Sequence, residues 1–308
     1  MNRRHLAALM AERTMLRSMI DEIPAADVID RGSLLAKLET IESQIAAGPT
    51  EREPAKARLT FVGRPVIGSH GIFADFGTKA VNGFAEAVAA VAASLTAPLR
   101  AMGPIPNREQ NQLLITNTVL GSFGFELEEL PGAQMKLDEP SIVEQALEKT
   151  QTLLLATIQP DDEILADSAA ELDQRAIDKV RTFVNTLADN EALCAIQFKD
   201  RLFRFESEAQ VRRSIDRMSE ANLQETTEEL RGGFEGALPF KRRTFEFRVE
   251  GADDVIVGRF AAGVDRPEEI NNHLHEPCTV KVGVTRVGQG RPRYILLDMP
   301  RWHAAPAA

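Results

Sequence analysis

Two short runs hold the residues best suited to chemistry. Gly68-Ser69-His70-Gly71 sets an imidazole in a glycine-rich turn, with Asp75 close behind and Glu126 and Glu128 further along. An imidazole that borrows a carboxylate can serve as general base, as a hydrolase or nuclease requires. The run is not a Gly-x-Ser-x-Gly elbow, because Ser69 and His70 are adjacent and cannot pair as nucleophile and base. The enzyme reading therefore requires His70, Asp75 and Glu126 or Glu128 to converge in the fold. A glycine-rich turn between a strand and a helix accounts for the same residues without catalysis.

His273-x-His275-x-x-Cys278 is the second run. Imidazole and thiolate ligands suit zinc, and His303, Cys194 or water would supply the fourth position. The spacing is not a standard one. In the plainer reading both histidines end a helix and Cys278 is a small core residue opening a strand. Gly121-Ser122-Phe123-Gly124 lacks the Lys of a phosphate loop and leads into a strand, so it reads as a hairpin turn. Glu128-Glu129 reads as a solvated pair at a strand end. No dinucleotide fingerprint, kinase set or zinc-protease helix occurs, and no cofactor is expected.

The remaining candidates are basic. Lys241, Arg242 and Arg243 precede one strand, while Arg286, Arg291 and Arg293 surround a later turn. Proteins that hold single-stranded nucleic acid pair such a groove with exposed aromatics on which bases stack. Phe245 and Phe247 are expected in the core, which leaves Tyr294 and Trp302 for stacking. The competing reading is a solvated rim on an acidic protein.

Three segments must position these residues. Residues 1–48 read as a helical hairpin. Leu34, Leu38, Ile41 and Ile45 follow heptad steps in its second arm, with Ser33 at the expected N-cap. Leu6, Leu9, Leu16, Ile20 and Ile23 form the facing stripe, which Pro24 ends. Arms this short are expected to need a third surface, either the rest of the chain or another copy.

Residues 56–222 alternate helices with hairpins rather than strand–helix–strand units, the α+β pattern. A helix from about Asp75 to Leu95, hairpins over 112–129 and 193–205, and capping boxes at Ser141/Glu144 and Ser207/Gln210 mark it out.

Residues 223–300 read as a small β-barrel. Strands are expected over 227–235, 244–250, 255–260, 279–287 and 293–298, with a short helix from Pro267. In the second of these Phe245, Phe247 and Val249 alternate with Glu246, Arg248 and Glu250, the mark of a half-buried strand. Three strands, a helix and two more strands resemble the layout of an OB-fold; an SH3-like barrel is the nearest alternative.

The chain of 308 residues has 36 Lys+Arg against 46 Asp+Glu, a net charge of −10. As a whole it repels a phosphate backbone. Residues 224–308, with 12 Lys+Arg and 13 Asp+Glu, are close to neutral. Two cysteines and no secretory leader fit a reducing cytoplasm, and the alanine- and arginine-rich style suggests a bacterial source.

The expectation is a non-catalytic adaptor. It self-associates through the hairpin into a homo-oligomer, and its barrel binds a protein or single-stranded nucleic acid. The modular make-up suggests an accessory of a bacterial stress or phage-defence system. The alternative is a hydrolase or nuclease built on the His70 loop.

Overall fold

The computed structural model describes residues 3–24, 27–48, 53–100, 102–119, 123–130, 139–240, 242–252, 254–261 and 263–303. They fall into two compact units, Met1–Ala55 with Glu129–Ser141, and Lys56–Glu128 with Ile142–Ala308. Two of the sequence-based candidates, Lys241 and the Gly121-Ser122 turn, lie outside the described residues.

The first unit holds helices α1 (Arg3–Glu22) and α2 (Val28–Ala47). Leu9, Leu16 and Ile41 are buried in their seam, with Leu34, Leu38 and Ile45 packed alongside. Arg17–Glu42 at 2.5 Å and Lys37–Glu12 at 2.7 Å tie the arms together on the exposed side. Ser33 is not the N-cap: α2 begins at Val28, and Ser33 is exposed within it. The earlier start lets Arg31 Nη1 donate to the carbonyls of Ile20 at 3.2 Å and Ile23 at 3.4 Å. Those carbonyls are left without helical partners where Pro24 follows.

The second unit opens with β1 (Lys56–Gly63), β2 (Val66–Ile67), β3 (Gly71–Ile72) and α3 (Ala74–Ser94). The hairpin β4 (Leu113–Val119) and β5 (Phe123–Glu129) follows. Next come α4 (Ile142–Ile158), α5 (Asp162–Ala170), α6 (Gln174–Asp189), β6 (Ala192–Phe198), β7 (Arg201–Arg204) and α7 (Glu208–Arg217). Five strands form one sheet in the order β4-β5-β1-β6-β7. Phe61 of β1 meets Phe76 of α3 edge-on at 5.3 Å, and Phe84 of α3 meets Phe183 of α6 at 5.5 Å. The apolar faces of the helices and the sheet thus share one core. Ser207 accepts from the Gln210 amide at 3.3 Å, as its capping box requires. Helix α5, absent from the sequence-based expectation, is capped by Asp161, whose carboxylate accepts from the Glu163 amide at 2.8 Å.

The C-terminal strands close into a five-strand barrel. They are β8 (Leu223–Leu238), β9 (Thr244–Val249), β10 (Val255–Phe260), β11 (Cys278–Val287) and β12 (Arg293–Leu296). A 3-10 helix, Pro267–His273, precedes β11. Antiparallel pairings join β8 to β9, β9 to β10, β11 to β12 and β11 to β8; β10 and β12 pair in parallel. β13 (Arg301–Trp302) adds to the outer end of β11. Phe234, Phe245, Phe247, Phe260 and Ile270 fill the interior, as the alternation of β9 predicts.

β8 turns the barrel's corner. Its first half pairs with β11 and its second with β9, and the change occurs at Gly232, which faces Cys278 on one side and Val249 on the other. A Cβ at Gly232 would stand 1.9 Å from the Arg248 carbonyl oxygen. Only glycine allows that approach. A bulge at Glu235–Gly236 adds the local bend that closure needs.

Candidate functional site

The barrel's outer wall, formed by β8, β9 and β10, is the leading site. Three cross-strand rows point outward: Gly233–Arg248–Val255, Gly236–Glu246–Val257 and Leu238–Thr244–Arg259. The β8–β9 turn, with Phe240, Arg242 and Arg243, borders the third row. Leu238 is 57% exposed, Phe240 78%, Val257 61% and Val255 37%. Leu238 and Val257 lie two strand spacings apart and two residues out of line, about 12 Å. Gly233 and Gly236 contribute no side chains, so the β8 edge of the wall is shallow.

The charges on this wall are mostly matched. Arg248 Nε donates to Glu235 Oε1 at 2.6 Å, and His275 Nδ1 lies 3.5 Å from the other oxygen. Hydrogen bonding from Arg248 holds the Glu235 carboxyl below its ordinary value, against a smaller opposing effect of burial. Arg259 is bound by Glu171, which also takes Lys149. Arg243 donates to the Ala261 carbonyl at 2.9 Å.

Beyond Arg248 the wall opens into a cleft of about 440 Å³, lined among others by Arg231, Gly233, Glu235, His275 and His303. Gly232 and Arg248, which make the close contact at the β8 corner, are also among its lining residues. His275 has φ +64 and reaches the cleft from the loop after the 3-10 helix.

The basic candidates divide between two ends of the barrel. Arg242 and Arg243 sit by the β8–β9 turn, where the Phe260 amide donates to the Arg243 carbonyl. Arg286, Arg291 and Arg293 surround the β11–β12 turn. Phe260 pairs with Leu296, three residues along β12 from Arg293, so the two groups lie about 10 Å apart along the strand. Arg286 and Arg291 are exposed. Arg293 is committed to α5, with Nε 2.5 Å from Asp167 Oδ1 and Nη2 3.6 Å from Glu163 Oε2. The chain's own helix thus covers part of the rim expected to be free.

Neither stacking candidate is a bare platform. Trp302 stacks on His273 with centroids 4.7 Å apart, and Tyr294 is half-buried. Burial raises the Tyr294 phenol above its ordinary value; Glu228 and Asp254 add to this, while Arg286 opposes it. Phe240 is the aromatic that sequence reasoning missed. Its signal is its place beside Pro239 in a turn, outside any alternating strand.

The His70 constellation is not assembled. His70 is exposed on the β2–β3 turn, its amide donating to the Ile67 carbonyl at 2.9 Å. Glu126 stands on β5 opposite Arg58 and pairs with Lys56 at 3.2 Å and Arg58 at 3.3 Å. Arg58 is five residues along β1 from Gly63, the end that leads to the His70 turn, a span of about 17 Å. Glu128 pairs with Lys56 at 2.6 Å, and Asp75 is exposed in the first turn of α3.

The zinc candidates point apart. His273 Nδ1 bonds Glu276 at 2.8 Å, His275 faces Glu235, and Cys278 is buried in the barrel. The possible fourth ligand His303 bonds Thr279 at 2.8 Å, and Cys194 is buried in the sheet. Among the described residues no group of three or more His, Cys, Asp or Glu could hold a metal ion, and no helix is long and apolar enough to cross a membrane.

Compared with known proteins, the chain matches no family model, no curated protein and no solved structure.

Proposed function

We propose that this chain is a non-catalytic adaptor whose barrel receives a segment of a partner protein on the outer wall of β8, β9 and β10. One observation carries the reading: Leu238, Phe240, Val255 and Val257 stay exposed on that wall and its bordering turn, in a barrel that buries its other large apolar residues well. Exposed apolar groups rimmed by arginines are the composition of a protein-binding surface. The barrel is OB-like in this reading. The order β8-β9-β10-β12-β11, the parallel third and fifth strands and the helical turn before the fourth strand support it.

Single-stranded nucleic acid is the weaker ligand. Arg248 and Arg259 are already neutralised, Glu246 stands in the middle of the wall, and Phe240 offers one stacking surface. The hydrolase or nuclease reading has no assembled base to stand on.

The test uses a photoreactive benzoylphenylalanine in place of Phe240, or of Leu202 on β7 as an exposed control, in cells of the source organism. Position 240 is expected to capture one discrete protein that position 202 does not. The purified partner should then bind Val257→Asp at least about tenfold more weakly, a loss of about 1.4 kcal/mol. Equal capture from both positions, or unchanged affinity, overturns the proposal. So does tight binding of a labelled oligothymidylate that Arg242→Glu with Arg243→Glu abolishes.

A further inference from the structure

The two edges of the five-strand sheet are built differently. β7 is four residues long, carries Arg201 and Arg204, and leads into α7. Short, charged edge strands of this kind resist pairing with another chain. β4 has none of these guards. Leu113–Val119 is seven residues with no charge, proline or glycine, in a chain of which 27% is charged. Leu114 through Thr118 are all exposed, so both faces of the strand are open; Leu114 is 39% and Ile115 58% exposed. Among the described residues no strand pairs with the outer side of β4.

We propose that β4 is the edge through which two copies of this chain associate, pairing antiparallel about a twofold axis at Thr116. A strand without charge offers nothing to complement a charged partner strand, and meets its own copy without like-charge repulsion. In this register Thr116 faces Thr116 of the second copy, Leu114 faces Thr118, and Ile115 faces Asn117. Thr–Thr and β-branched pairs of this kind favour sheet formation. The two five-strand sheets become one continuous sheet, with β7 as the guarded edge at each end. Isologous pairing of this type closes at two copies. A strand-only contact falls below the roughly 1,200 Å² of a standard interface, so the dimer is concentration-dependent. This surface is distinct from the barrel wall, and neither proposal requires the other.

Sedimentation velocity of the full chain over a range of concentrations is expected to show monomer giving way to dimer. Thr116→Lys puts two ammonium groups face to face and should weaken the dimer at least about tenfold. The melting temperature should change little at concentrations where both chains are monomers, because the side chain is exposed and makes only a 3.5 Å contact to the Glu126 carbonyl. Thr116→Cys should link two chains on mild oxidation. Facing residues in such a pair have Cα atoms about 4.5 to 5.5 Å apart, within disulfide reach. Leu202→Cys on the guarded edge should not link. A monomer at every concentration, a dimer indifferent to Thr116→Lys, or a Thr116→Cys chain that stays unlinked overturns the proposal. So does a dimer lost instead on Met15→Asp in the hairpin.

Discussion

Arg293 on β12 and Asp167 on α5 meet with Nε 2.5 Å from Oδ1, across 126 residues of sequence. The contact is one of a set along the helix. Glu163, Asp167 and Glu171 recur at four-residue spacing and so share one face. Glu163 and Asp167 take Arg293, while Glu171 takes Arg259 and Lys149. An acidic helical stripe therefore faces the basic side of the barrel, which positions α5 against β11 and β12 and leaves β9 open.

A double-mutant cycle measures this coupling. Asp167 is more than half exposed, so solvent screens the pair and the interaction should be worth about 0.5 to 1 kcal/mol. Arg293→Gln and Asp167→Asn should each lower the melting temperature slightly, and the double variant should lose less than their sum. Added salt should shrink the coupling. Full additivity of the two losses would show that the contact carries no energy.

Much of this architecture could be read from local pattern, and the failures share a cause. The alternation of Phe245, Phe247 and Val249 marks β9 and its buried face, and Pro24 marks the end of α1. Helix α5 was missed because Glu163, Asp167 and Glu171 resemble a solvated face when their arginine partners lie 88 or more residues away. The division of the basic residues between two barrel ends is likewise a matter of closure, and closure is set by long-range pairing that no local window contains. Phe240 lies in the turn outside the alternation that marks β9, so no periodic pattern singles it out. Local pattern points to the barrel as a candidate site but not to the wall of it that is open.

The corner of β8 supplies a sharp contrast between two glycines four residues apart. A Cβ at Gly232 meets the Arg248 carbonyl at 1.9 Å, whereas one at Gly236 meets nothing within 4 Å. Backbone cannot yield as a side-chain tip can. Gly232→Ala should therefore cost more than about 4 kcal/mol and open the barrel. Gly236→Ala should stay within about 0.5 kcal/mol of the parent. Chemical denaturation of both variants decides it, and equal stabilities would contradict the corner's role.

Asp178 on α6 gives the fold a pH dependence of defined sign. Burial raises its carboxyl above the ordinary value of 3.8; Gln174 opposes the shift, and Glu220 and Asp173 add to it. The folded chain then holds this proton more tightly than the unfolded chain. Its ionisation costs stability as pH rises from the ordinary value through the raised one, and the full cost is present at neutral pH. Asp178→Asn should therefore stabilise the protein near neutrality, with the advantage fading on acidification towards 3.8. Thermal melts across that window read it out, and an advantage independent of pH would assign the gain to something other than ionisation.

The two cysteines provide a last check on both cores. Cys194 lies in the sheet and Cys278 at the start of β11, both buried and free. Burial pushes the Cys194 thiol well above its ordinary value and that of Cys278 up to about 12. The thiolate is the reactive form, so neither should react with a disulfide reagent near neutral pH while its core is closed. Both should titrate on denaturation. Because Cys278 opens β11 opposite Gly232, Gly232→Ala should expose Cys278 first and leave Cys194 protected. Mass spectrometry of the labelled peptides distinguishes the two sites. Simultaneous labelling would mean that the barrel and the sheet unfold as one cooperative unit.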